Sequence, residues 1–254
     1  MFTFNEAQIM AWFTPIFWPF LRTLAVLSTA PILSSKSVPV RTKVALAFVI
    51  AVCMQPSLTG QAYVELNSPR ALEAVVQQFI LGAAIGLTVR IVFSAVEMAG
   101  EFIGLQMGLN FAGFFDPTTN SQTSTVGRFF GNVSMFLFLV LNGHLLIIMS
   151  LADSFRAFPV GTPALEALGR LRLHELGGLI FSYGLWIALP LIGLLLFINI
   201  MLGIISRVAP QMNVFAIGFP LTLSAGLLGI ALTLPMMDRP IMQLMRVIQD
   251  LFVG

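Results

Sequence analysis

The chain has 254 residues, 57% hydrophobic and 9% charged, with 13 basic against 11 acidic side chains and a net charge of +2. A water-soluble domain carries roughly a quarter charged residues, so a free soluble globule is excluded: its interior could not bury this much apolar surface. The small net charge excludes nucleic acid as a partner, which would need a strongly basic face. What remains is an integral membrane or membrane-assembly protein, with lipid among its contacts.

Seven apolar segments follow one another, at about 7–33, 40–58, 74–96, 98–115, 129–151, 177–205 and 211–236. A helix needs about 20 residues to cross about 30 Å of hydrocarbon, and most of these segments approach or exceed that, which makes the fold class all-α. The N-terminus, MFTFNEAQ, has Glu6 where a secretory signal carries basic residues, so the first apolar run is expected to be retained. Pro15 and Pro19 interrupt that run, Pro190 the sixth, and Pro220 and Pro235 the last. Each proline removes a donor and bends its helix, and in lipid a neighbouring helix must satisfy the freed carbonyl. The run 40–58 is marginal in length, and its Cys53, the single cysteine, reads as a small buried hydrophobe.

The run 98–115 is short, glycine-rich and acidic at Glu101, and reads as a separate partner-facing or re-entrant piece. His144, in LNGHLL, reads as a hydrogen-bonded core residue. The longest connection, 152–176, has turn signals at Pro159, Gly161 and Pro163 and could end in a short amphipathic helix. Pro240 suits the first turn of a helix. Beyond it Ile241, Leu244, Met245, Ile248 and Leu251 recur at helical spacing, which predicts a docking or membrane-surface helix after Asp238. Counting basic residues on alternate sides of the seven segments gives no cytoplasmic excess, unlike an ordinary polytopic bundle.

Charge inside the apolar runs carries the same message. Arg22, Arg90, Glu97 and Glu101 lie where a lipid-facing helix has none, and a lone charge at the bilayer centre costs at least ~2.5 kcal/mol. Arg90, Glu97 and Glu101 are therefore candidates for internal polar contacts, with Glu97 and Glu101 one turn apart on one face. Gly82 and Gly86, and Gly100, Gly104 and Gly108, recur every four residues, the spacing that lets helix backbones approach closely. In LNFAGFFDPTTNSQTST, Phe111, Phe114 and Phe115 stand beside glycines and a polar run. That pattern fits buried rings at a helix end, or an aromatic constriction that closes a pore by excluding water. Walker, Gly-x-Ser-x-Gly and His-Glu-x-x-His patterns are absent, so neither an enzyme nor a cofactor or metal site is expected.

The stretch RVAPQMNVFAIGFPLTLSAG (207–226) resembles the signature of the FliR family of the flagellar export gate. APILSSKSVPVRTKVALA (30–47), AVEMAGEFIGLQMGLNFAGFFDP (95–117) and LNGHLLIIMSLADSF (141–155) agree with it in order along the chain. The resemblance implies a single export-gate domain over residues 1–254, with N-terminal hairpins to about 176 and a C-terminal hairpin and tail from 177. It implies kinked helical hairpins wound, with FliP-like and FliQ-like subunits, into a helical inner-membrane assembly of the flagellar basal body. FlhB-like and FlhA-like export proteins would stand beside it, and unfolded flagellar proteins would pass through its channel. It also implies that Phe111, Phe114 and Phe115 plug the closed channel, with Gly108 and Gly113 as hinges. The rival readings are a small-solute or ion transporter of the inner membrane, built around midplane charges, and a scaffold with no pore contact.

Overall fold

The computed structural model describes the chain apart from residues 1–5, 36–37, 59–62, 110–123, 164–165, 167–168, 170–172, 212 and 254, and apart from the side chains of 6–9, 173–175, 214–215 and 247–253. The described residues are almost wholly helical and contain no strand. In order they form α1 (Glu6–Thr29), a single turn (Pro31–Ser34), α2 (Val40–Met54), α3 (Ala71–Gln106), α4 (Thr125–Val140), α5 (Gly143–Ala157), α6 (Leu173–Val208), α7 (Val214–Thr233) and α8 (Asp238–Val253). Among the described residues five helices are long and apolar enough to cross a membrane, or up to six spans if α4 and α5 are counted together as one.

Most of the prolines that interrupt the apolar runs lie inside helices. Pro15 and Pro19 lie inside α1, Pro190 inside α6 and Pro220 inside α7; only Pro235 falls at a helix end, in the 3-10 turn Leu234–Met236. The run 74–96 and the start of the run 98–115 are not separate pieces, because α3 continues unbroken from one into the other as far as Gln106. A helical glycine costs only about 1 kcal/mol relative to alanine, and close packing at Gly100 offsets it. Conversely, the run 129–151 is divided. Asn142 takes a left-handed φ of 57° between α4 and α5, a conformation that asparagine tolerates better than other side chains. Several hydroxyls in the apolar helices turn back on their own backbone, as Thr23 Oγ1 does on Pro19 O at 2.7 Å and Thr88 Oγ1 on Ala84 O at 2.9 Å. That satisfies them without water.

The chain divides into two compact units. The first comprises Met1–Arg90, Asn142–Leu176 and Met245–Gly254, and the second Ile91–Leu141 and Gly177–Leu244. In the first, α2 packs back on α1, and a core gathers around Trp18, Met54, Leu81, Ile85, Leu151 and Phe155. The Trp18 indole is wholly buried, and its N–H donates to Val64 O at 3.1 Å. Glycine then sets the distance between α1 and α3. A Cβ at Gly82 would lie 2.6 Å from Ala25 Cβ, and one at Gly86 would lie 2.9 Å from the Ala30 amide nitrogen. In the second unit the same device recurs. Gly184 takes the Ala95 carbonyl, and Gly229 takes Leu191, whose neighbourhood opens into an apolar cleft of about 390 Å³ lined by Phe130, Trp186, Pro190 and Met237.

Much apolar surface stays uncovered by the chain itself. Of the most apolar stretch of α3, 61% is buried, against 17% for α2; α2 hides only Ala47, Ala51 and Met54, leaving Phe48, Val49 and Val52 outward.

Overpacking a tight helix contact costs about 1–3 kcal/mol. Gly82→Val and Gly86→Val are therefore expected to lower the melting temperature of the detergent-purified protein and to reduce its yield. Gly193→Ala, with nothing within 4 Å of the new methyl, should not lower the melting temperature of the isolated chain and should raise it slightly, because alanine favours the helix by up to about 1 kcal/mol.

Candidate functional site

The phenylalanines Phe111, Phe114 and Phe115 and the hinge Gly113 lie outside the described residues. The residues on which their segment is rooted are described, all within the second unit. On the incoming side α3 ends at Gln106, Met107 is buried, and Gly108 takes a φ of +79°, a backbone that favours glycine. Helix α7 supports this end. The Phe219 ring is the nearest group to Gly108, and the Met107 side chain fills the space a Cβ on Gly226 would need, with Sδ at 2.6 Å. Thr222 Oγ1 stands 3.4 Å from Met107 O but 3.1 Å from the Gly218 and Phe219 carbonyls of its own helix. Its single proton serves one acceptor at a time.

On the outgoing side, Ser124 is the N-cap of α4, its Oγ accepting from Gly127 N at 3.0 Å. The Ser124 amide in turn donates to Glu101 Oε1 at 2.6 Å. Gly100 brings the two backbones together, since a Cβ there would sit 2.8 Å from Gly127 Cα. A carboxylate at the start of a helix also meets the positive end of the helix dipole.

The remaining candidates are spread along α3. Gly82, Gly86, Gly100 and Gly104 are all buried. Arg90 is exposed, and Glu97 is half-buried on the same face as Glu101. Cys53 and His144, expected inside, are exposed. In α2 the buried stripe runs through Ala47, Ala51 and Met54, and Cys53 falls off it; in α5 the stripe runs through Gly143, Ser150, Leu151 and Ser154, and His144 falls off it.

Sequence reasoning missed a buried polar network in the first unit. Arg22 is fully enclosed. Its Nε donates to Gln78 Oε1 at 2.7 Å, Nη1 to Ser154 Oγ at 2.9 Å and Nη2 to Phe158 O at 3.0 Å, while Cζ lies 3.6 Å from the centre of the Phe155 ring. Gln78 Nε2 donates to Gln77 Oε1 at 3.1 Å. Gln77 holds the turn after α5: its Nε2 donates to Pro159 O and its Oε1 accepts from Gly161 N, both at 2.9 Å. Gly161, at φ +98°, gives the turn its left-handed corner. The signal was present in Arg22, in the adjacent glutamines of an apolar run and in the turn residues Pro159 and Gly161, but only the fold shows that they meet.

Residues 13–248 match the protein family described as bacterial export proteins, family 1. The chain is 45% identical to the flagellar biosynthetic protein FliR of Escherichia coli strain K12, over 93% of this chain and 90% of that protein. It belongs to the FliR family. It is also 42% identical to FliR of Pectobacterium carotovorum subsp. carotovorum, over 93% of this chain and 90% of the relative, and 34% identical to FliR of Aquifex aeolicus, over 85% and 84%. As a FliR-family protein the chain is a component of the flagellar export apparatus, and its long apolar helices place it in a membrane. The family is named for export and flagellar biosynthesis, not for a catalysed reaction.

The Arg22 network lies within the matched region. Removing the guanidinium leaves buried polar groups unsatisfied, at about 1–3 kcal/mol each, and opens a cavity, so Arg22→Ala should sharply reduce the melting temperature and protease resistance of the purified protein. Arg22→Lys keeps the charge but loses the planar fork and its stacking on Phe155. It should fall between wild type and Arg22→Ala in the same measurements.

Proposed function

We propose that this chain is the FliR-type core subunit of the flagellar export gate in the inner membrane. In this reading it assembles with FliP-like and FliQ-like subunits around a channel, beside FlhB-like and FlhA-like export proteins, and unfolded flagellar proteins cross through that channel. The observation that carries the reading is the similarity to FliR proteins along nearly the whole chain. The large outward apolar surface of α2, α6 and α7 supports it, because one chain alone leaves those faces for lipid or sister subunits to cover.

Phe111, Phe114 and Phe115 form the channel plug. Bulky rings in a narrow lumen exclude water, and ions do not follow where water is excluded. Gly108, at positive φ, and Gly113 are the hinges. An arriving unfolded chain displaces the rings, and the energy for transport comes from other parts of the apparatus. The internal polar contacts and close glycine packing along α3 hold the surroundings of the plug in place.

Two measurements test this reading. Tagged protein should co-purify from membranes with FliP-like and FliQ-like subunits; recovery as a stable symmetric oligomer able to carry small solutes would instead favour a transporter. The triple variant F111A/F114A/F115A should raise ion leakage through closed complexes about tenfold or more while the amount of complex stays constant. Background leakage from a fully assembled triple variant would defeat the plug assignment.

A further inference from the structure

The apolar cleft of the second unit lies where a candidate span ends. That span runs from Ala216 to Met236, and Asp238 and Arg239 follow at once. Charged residues directly after a span mark the level at which hydrocarbon gives way to headgroups, and tryptophan is favoured at the same level. The wall of the cleft is drawn from both sides of this change. Helix α6 gives Trp186, Leu189 and Pro190, while the start of α8 and the turn before it give Met236, Met237 and Pro240. Trp186, Leu189 and Met236 are exposed, so the cleft opens outward, beside the outward Leu185 and Leu196 of α6.

The chemistry of the wall selects an apolar occupant. No lining side chain is charged, and only Thr233 carries a hydroxyl, which donates to Gly229 O of its own helix at 2.9 Å. A site for a small polar solute has several polar groups that converge on it; this wall has none. The charge stands at the edge instead. Arg239 directly precedes Pro240, is exposed, and forms no ion pair among the described residues. The neighbouring acid does not engage its guanidinium: Asp238 Oδ1 accepts from the Arg239 amide at 2.7 Å. A guanidinium so placed can hold a phosphate through two parallel bonds.

We propose that this cleft is a site for an anionic phospholipid, with one acyl chain in the cleft and the headgroup phosphate on Arg239. A phospholipid joins an apolar chain and a phosphate in one molecule, and it meets the protein at the level where cleft and arginine lie together. An apolar side chain of a partner subunit would fill the cleft but would leave the arginine without an anion. Attraction of basic residues to anionic lipid adds to the apolar contact. The site is separate from the phenylalanine segment, and the proposal stands whether or not those rings plug a channel.

Trp186 is a probe already in the wall. The chain has three tryptophans, and the difference in fluorescence between wild type and Trp186→Phe isolates its signal. Both are purified in detergent as the complete gate, or as the full chain if no partners come with it. Phosphatidylglycerol brominated on its acyl chains is titrated in, and phosphatidylcholine brominated in the same way is the comparison without net charge. Phosphatidylglycerol should quench Trp186 saturably, at about tenfold lower concentration than phosphatidylcholine. Arg239→Gln should abolish that preference, and Arg239→Lys, which keeps the charge, should retain most of it. Because Arg239 is exposed, Arg239→Gln should melt at the temperature of wild type. Equal quenching by the two lipids in wild type, or an unchanged preference in Arg239→Gln, overturns the proposal. A Trp186 signal that neither lipid quenches shows that lipid does not enter the cleft, and overturns it too. Where Arg239→Gln fails to fold, the comparison of the two lipids on wild type decides.

Discussion

A guanidinium shut away from water must find its acceptors inside the protein. That constraint organises the first unit. Each N–H left unpaired in an apolar interior would cost about 1–3 kcal/mol, so Arg22 fixes the places of its partners as firmly as they fix Arg22. Its acceptors come from α3 and from the C-terminal end of α5, and they are neutral: an amide, a hydroxyl and a main-chain carbonyl, with an aromatic face beside them. Gln77 extends the network to the turn at Pro159 and Gly161. Three stretches of chain far apart in sequence are held in one arrangement by a few directional bonds. Apolar contacts, which have no direction, could not specify it alone.

Close approach of backbones makes that network reachable. Gly82 and Gly86 bring α3 near enough to α1 for the side chain of Gln78 to meet Arg22. In the second unit Gly100 does the same for α3 and α4, and there too a polar bond, from Ser124 to Glu101, lies beside the glycine contact. The two units thus share one construction principle. Small residues shorten the interhelical distance, and a polar side chain close by uses the shortened distance to fix register. Lipid supplies no hydrophobic drive for helices to associate, so specificity in such a protein must come from packing and hydrogen bonds of this kind.

The all-α fold could be read from the apolar runs, and the tail helix from the spacing of Ile241, Leu244 and Met245, which the structure buries. Gly82, Gly86 and Gly100 could be read as contact residues because glycine at four-residue spacing has few other uses in an apolar helix. Boundaries were less legible. Glycines near 100 suggested a break that packing against Gly127 removes, and Asn142 made a break inside a run that hydropathy treated as continuous. The Arg22 network was hidden for a different reason. Its members are 56 and 132 residues from Arg22, and neither periodicity nor composition carries information at that range. Glu101 was recognisable as an acid out of place, but its acceptor role depends on an amide that no sequence pattern marks.

Two of the helices, α3 and α6, are 36 residues long. At 1.5 Å per residue each is a rod of about 54 Å, and even tilted by about 40° it would cover about 41 Å of depth. The hydrocarbon layer is about 30 Å thick. Roughly a fifth or more of each rod therefore stands outside the oily layer. Helix α6 carries outward Leu, Ile and Phe side chains along most of its length, an apolar surface that lipid or other subunits must cover. Such a tilted helix reaches from the oily layer into the headgroup regions, since the bilayer including them is about 40–45 Å thick.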